Sequence, residues 1–185
     1  MIIIPPIVVD MPSLSLFHKL LGASFEELPA EIRRVHAGER SVWFNGECAI
    51  EHGRHWLANL AARIARMPPA TSRCALRIEI ATDTVGETWN RYFGDHPMSS
   101  RLRADRGLLV EQLGPLTIAF QLQANSQQIA WTPQWGRVLG IALPASFFAG
   151  VVARESMLDG RYYFEVQAAL PMVGLVISYR GWLAN

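Results

Sequence analysis

Lysine is almost absent from this 185-residue chain: Lys19 is the only one, and arginine carries the rest of the positive side-chain charge. Seventeen basic residues face sixteen acidic ones, for a net charge of +1. So balanced a total gives no electrostatic footprint for nucleic acid or for an anionic membrane. The densest basic cluster, Arg101, Arg103 and Arg106, encloses Asp105 and has no interleaved aromatic, which reads as a solvated face. Cysteine is scarce too. Cys48 and Cys74 form no CxxC pair, and in a cytosolic chain they read as reduced core residues, not a disulfide framework. Long apolar runs are missing: none reaches the roughly 18 residues that a spanning helix needs. The opening "MIIIPPIVVDMP" is apolar, but Pro5 and Pro6 break it and no basic stretch precedes it, so it makes a poor signal peptide. A soluble, cytoplasmic protein is the expectation.

What is present is core. Half the residues are hydrophobic and 18% are charged, which argues against disorder. The length suits one domain with a sizeable interior. The first third reads helical. "SLSLFHKLLG" places Leu14, Phe17, Leu20 and Leu21 at helical spacing, with Ser13 as N-cap and Gly22 as stop. Ser24 and Glu27 make an S-x-x-E capping box, and Pro29 divides the helical pattern in "SFEELPAEIRRVHAG". After a strand in "RSVWFNGECAIEHG", the segment 54–67 carries Trp56, Leu57, Leu60, Ile64 and Met67 as one apolar stripe, ended by Pro68 and Pro69.

Beyond Pro69 the period becomes two. Cys74, Leu76, Ile78 and Ile80 share a face. So do Trp89, Arg91 and Phe93, then Met98, Ser100 and Leu102, and then Leu116, Ile118, Phe120 and Leu122. Asp159-Gly160 is a two-residue hairpin signal between "VVARESML" and "RYYFEVQAAL". The closing "VGLVISYRGWL" alternates as well, with Tyr179 on the side of Val173, Leu175 and Ile177 and with Arg180 and Trp182 opposite. The expectation is an α+β fold: an N-terminal tail or edge segment over 1–12, then a single domain over 13–185. In it, N-terminal helices precede a large antiparallel meander, curved into a half-barrel around the 54–67 helix.

The ordered landmarks "LFHKLLG", Leu28-Pro29, "ETWNRYFG", "SSRL", "GLLVEQLGPL" and "DGRYYFEVQAALPMVGLVISYRGWL" resemble the bacterial family known as domain of unknown function 4166. The terminal Y-x-G-W-L is the most specific piece. The resemblance runs from about Ser13 to Leu183. It implies a bacterial source and an association with NAD-dependent oxidoreductases, because members often follow a dehydrogenase-like or epimerase-like domain. This chain departs from those fused members in having no GxGxxG motif. The family supplies no catalytic residues to carry over.

Candidate chemistry is thin. Glu47, Cys48, Glu51, His52 and His55 include an H-x-x-H spacing, but they span a strand end and a helix start, and a metal-free protein without cofactors is the reading. There is no G-x-S-x-G elbow, and Asp95-His96 with Ser99 and Ser100 reads as a plain turn. The stronger signal is polarity on apolar faces: Arg91 between Trp89 and Phe93, Ser100 between Met98 and Leu102, and Tyr179 beside Gly181. A buried polar group needs a partner. Arg91 either pairs internally, with Glu155 or Glu111, or meets a ligand's head group. The leading hypothesis is a module that binds a small apolar or amphipathic ligand through Trp89, Arg91, Ser100, Glu155 and Tyr179. The alternatives are an accessory domain docking a partner oxidoreductase, and a cofactor-independent enzyme.

Overall fold

Residues 14–184 are described by a computed structural model. The tail over 1–12 and the cap expected at Ser13 lie outside them. Two short helices come first, α1 (Leu16–Leu21) and α2 (Ala30–Val35), joined through a 3-10 turn at Gly22–Phe25. Ser15 caps α1, its Oγ accepting from the His18 amide at 3.2 Å. The Ser24 box does not open a helix; α2 starts only after Pro29, whose extended backbone sets the helix entry.

Eleven strands make up most of the remaining chain: β1 (Ser41–His52), β2 (Thr71–Thr82), β3 (Gly86–Phe93), β4 (His96–Asp105), β5 (Leu108–Leu113), β6 (Leu116–Ala124), β7 (Gln128–Val138), β8 (Ile141–Leu143), β9 (Gly150–Leu158), β10 (Arg161–Leu170) and β11 (Gly174–Ala184). One helix, α3 (Trp56–Ile64), interrupts them between β1 and β2. The hydrogen-bonded order is β6-β5-β4-β3-β2-β1-β11-β10-β9-β7-β8, and β6 also pairs with β7. That last pairing turns the expected half-barrel into a closed ring of ten antiparallel strands, with β8 appended outside. The architecture is therefore a β-barrel, not an α+β sheet wrapped around a helix.

The inside of the ring is the alternating face read along each strand. Leu76, Ile78, Trp89, Phe93, Met98, Leu102, Leu109, Ile118, Phe120 and Ile129 all belong to one buried cluster. Each such side chain contributes about 1.5–3 kcal/mol on burial. Closure needs strong strand coiling, and register shifts between Ala119 and Phe120, between Cys48 and Ile50, and between Ala168 and Ala169 mark where strands bend. Close approach of β1 to β11 depends on glycine: a side chain at Gly181 would collide with the Glu47 carbonyl oxygen. The two cysteines face each other across β1 and β2, their sulfurs 3.4 Å apart and unbonded. Burial pushes the Cys48 thiol up, away from thiolate.

The helix expected to fill the interior does not enter it. α3 lies at one end of the barrel and rests on β11 through Ala58 and Ala62, which pack with Val176. Trp56 and Leu60 point away, 68% and 46% exposed, and Ile64 stands exposed at the mouth of the interior. Inward residues from every strand supply the core, and a ring of ten strands, wider than a small barrel of eight, keeps an unfilled space that the helix does not enter.

Candidate functional site

The barrel has one plugged end. α1 and α2 cover it, and Phe17, fully buried, drives its ring onto the His36 imidazole at 3.6 Å. Trp89 and Trp131 stand beside Phe17 at 6.3 and 5.7 Å, so an aromatic stack closes the floor. Above it lies a cavity of about 350 Å³. Its wall is mostly aliphatic and aromatic. The polar side chains reaching it from inward positions are Arg91, Glu111, Glu155, Tyr162 and Tyr179. Strand directions place Glu155, Tyr162 and the Trp89 indole toward the plugged end. Leu113, Leu116, Leu143, Leu170 and Ile64 line the opposite end.

Each polar group has a traceable arrangement. His36 Nε2 and Glu155 Oε2 are 2.5 Å apart, both residues buried. The Trp89 indole N–H donates to Glu87 Oε2 at 2.9 Å. The Arg91 guanidinium sits 4.9 Å above the Trp89 ring, donates to Ser100 Oγ at 2.8 Å and reaches Glu111 Oε1 at 3.3 Å. Around the floor, His36 Nδ1, Glu87 Oε1 and the Trp131 indole nitrogen are buried with no hydrogen-bond partner among the described residues. Burial pushes the Glu87 carboxyl above its ordinary range, partly offset by the Trp89 hydrogen bond. Burial raises the Tyr162 phenol well above its usual value, and the Glu155 carboxylate adds to this. Burial likewise pushes Tyr179 up to about 12, against the opposing pull of Arg91. No hydrogen bond from another described side chain satisfies the Tyr179 hydroxyl; its ring leans on Phe93 and Phe164 at 5.5 and 6.2 Å.

Of the residues singled out from sequence, Trp89, Arg91, Glu155 and Tyr179 line one cavity. Ser100 does not line it; it accepts from Arg91 from the neighbouring strand. Arg91 takes Glu111 as its acidic partner, whereas Glu155 belongs to His36. Sequence reasoning missed Tyr162 on the cavity wall and two residues of the floor beneath it, Glu87 and His36. Glu87 lies one step before Trp89 and Arg91 on the same alternating face, so period two could have found it. His36 caps α2 at its C-terminus and gives no periodic signal. The other candidates scatter. His52 Nε2 lies 2.8 Å from the Pro68 carbonyl, and His55 caps α3. His96 lies 3.0 Å from the Arg66 carbonyl, and Ser99 donates to Asn90. Trp182 stacks under Arg161, and Arg180 pairs with Glu51, both outside the ring.

Fold and site together define a closed antiparallel barrel with an apolar chamber and a polar floor. The chain belongs to the family described as domain of unknown function (DUF4166), whose model matches residues 28–183. No curated protein matches it. Among solved structures it is similar to the vaccine antigen transferrin binding protein B from Haemophilus parasuis, at 5% identity and a TM-score of 0.27. That match covers 87% of this chain but 28% of the other. At that score the likeness carries no argument about function.

Proposed function

We propose that the protein binds a small apolar or amphipathic molecule inside the barrel. The observation that carries this reading is the Tyr179 hydroxyl, set on an apolar cavity wall without a side-chain partner and within the field of Arg91. A polar atom so placed must find water or a ligand. The cavity's size falls in the usual range for small-molecule sites, about 300–1,000 Å³. The ligand's polar end would meet Arg91 and Tyr179, with Glu155 and Tyr162 across the floor. Its apolar end would point to the opposite opening. Ser100 and the Trp89 ring hold the guanidinium in place for that contact.

The test is a fluorescence titration of the purified protein with cis-parinaric acid, a fluorescent fatty acid, beside native mass spectrometry of the same sample. Saturable one-to-one binding, weakened in Tyr179→Phe, is the expected result. A protein that neither retains a small molecule nor saturates with the probe would refute the reading. The accessory-domain alternative draws its support from the family's fusions with oxidoreductases, not from the chamber.

A further inference from the structure

The end of the barrel opposite the α1–α2 plug has an unusual surface. Twelve large hydrophobic residues are exposed among the described residues, and eight of them sit on the connections at this one rim. They come from three separate stretches, among them Trp56, Leu60 and Ile64 on α3, Leu139 and Ile141 around β8, and Met172 in the β10–β11 turn. α3 is turned inside out for a surface helix. Its small residues Ala58 and Ala62 face the protein while its large apolar stripe faces out. A monomeric protein seldom exposes such a cluster without use for it.

Charge on the same rim is one-sided. The connections at 53–70, 94–95, 114–115, 139–149 and 171–173 contain Arg54, Arg63 and Arg66 against one acid, Asp95. The balanced total of the chain hides this local excess. The rim is also held in place: His96, at the β3–β4 hairpin, lies 3.0 Å from the Arg66 carbonyl just after α3. Finally, the rim surrounds the chamber. Ile64 and Phe147 line the cavity and are themselves 53% and 39% exposed.

We propose that this rim docks the protein onto a lipid bilayer bearing anionic headgroups, with α3 lying in the interface as an amphipathic anchor. The proposal rests in part on the ligand-chamber reading, since an amphipathic cargo would then pass between bilayer and barrel without crossing water. Apolar residues from the neighbouring β1–β2, β10–β11 and β7–β9 connections form a broad arc along one side of the mouth, not a groove. A convex arc beside a mouth fits a fluid plane better than a single peptide segment or helix. Arginines beside the apolar stripe match phosphate-bearing headgroups, the usual pairing for interfacial helices. No helix among the described residues is long and apolar enough to cross a membrane; the contact proposed is a peripheral one, with α3 lying flat in the interface.

The test is co-sedimentation of the full chain with phosphatidylcholine vesicles containing phosphatidylglycerol, and with pure phosphatidylcholine vesicles. Binding to the anionic vesicles is expected, weakening with added salt. The double variant Leu60→Ser, Ile64→Ser should lose about tenfold or more in affinity. Arg54→Glu with Arg63→Glu should abolish the preference for anionic vesicles. These side chains are exposed, and an unchanged circular-dichroism melt checks that each variant folds. A wild-type chain that stays in the supernatant with both vesicles overturns the proposal, as does vesicle binding indifferent to the rim substitutions. So does a stable dimer, seen by analytical ultracentrifugation, that the Leu60/Ile64 variant breaks, because the face would then belong to a second copy. Parinaric acid binding reports separately: if it persists while vesicle binding fails, docking falls and the chamber stands.

Discussion

The two ends of this barrel are built from the same kind of part and do opposite things. At one end α1 and α2 turn their bulky residues inward: Leu16, Phe17, Ile32 and Val35 are all buried. At the other end α3 turns alanines inward and leaves Trp56, Leu57, Leu60 and Ile64 in the open. The first arrangement seals the ring with an aromatic stack. The second rests lightly on β11 and leaves the chamber's apolar wall continuous with the surface. Helical amphipathicity thus serves stability at one end and is left available for contact at the other.

Breaking the plug should have the largest effect. Phe17→Ala removes a fully buried ring and should cost about 3–5 kcal/mol in chemical denaturation. His36→Ala leaves Glu155 buried without its partner and should cost a similar amount, about 3–5 kcal/mol. Because the two rings touch, the double variant should cost less than the sum. Trp56→Ala at the other end should move stability by no more than about 0.5 kcal/mol. Equal losses at both ends would erase the contrast between them.

Smaller effects sharpen the interior. Tyr179→Phe should keep the fold and weaken parinaric acid by about 0.5–1.5 kcal/mol, the net worth of one hydrogen bond. A change in stability with unaltered probe binding would make Tyr179 a core residue only. Glu87 tests the pH dependence. Its folded-state pKa is raised, so the native state holds the proton more tightly than the unfolded chain. Stability from this group is present below the ordinary value of 4.5 and declines as pH rises through the folded value. Glu87→Gln should therefore raise the melting temperature at neutral pH and flatten that slope. Asp83 should matter least. Arg101 and two backbone amides hold its carboxyl down to about 2, so its contribution is present above 3.8 and lost as pH falls toward 2. The pair is open to water, and Asp83→Asn should barely shift the melt at neutral pH.

Much of this was legible along the chain. The inward placement of Trp89, Arg91, Ser100 and Tyr179 follows from period two, as does the outward placement of Arg180 and Trp182. The Asp159-Gly160 hairpin carries its own turn chemistry: both residues adopt the positive φ that an aspartate and a glycine tolerate. Glu87 was equally available on the same face as Trp89. His36 was not, because a residue ending a short helix shares no periodicity with the strands it finally meets.

Local sequence by itself determined most of the strands, the apolar side of most of them, and that an amphipathic helix lies within 54–67, where α3 spans Trp56–Ile64. The alternation expected to join Val173 and Leu175 to Tyr179 breaks at the β10–β11 register shift, which puts Val176 on the cavity wall instead. Side-chain alternation and helical spacing are properties of neighbours, so they can be read from neighbours. Only the tertiary structure decided that the sheet closes, because β6–β7 pairing and the β7–β9 contact depend on accumulated twist and bends across many strands. It also decided which face of α3 meets the barrel. A stripe of large apolar residues states that a helix has two faces. Ala58 and Ala62 let the helix lie close against Val176 of β11 at the barrel's end, so the chamber beneath stays unfilled and the large face is left outside.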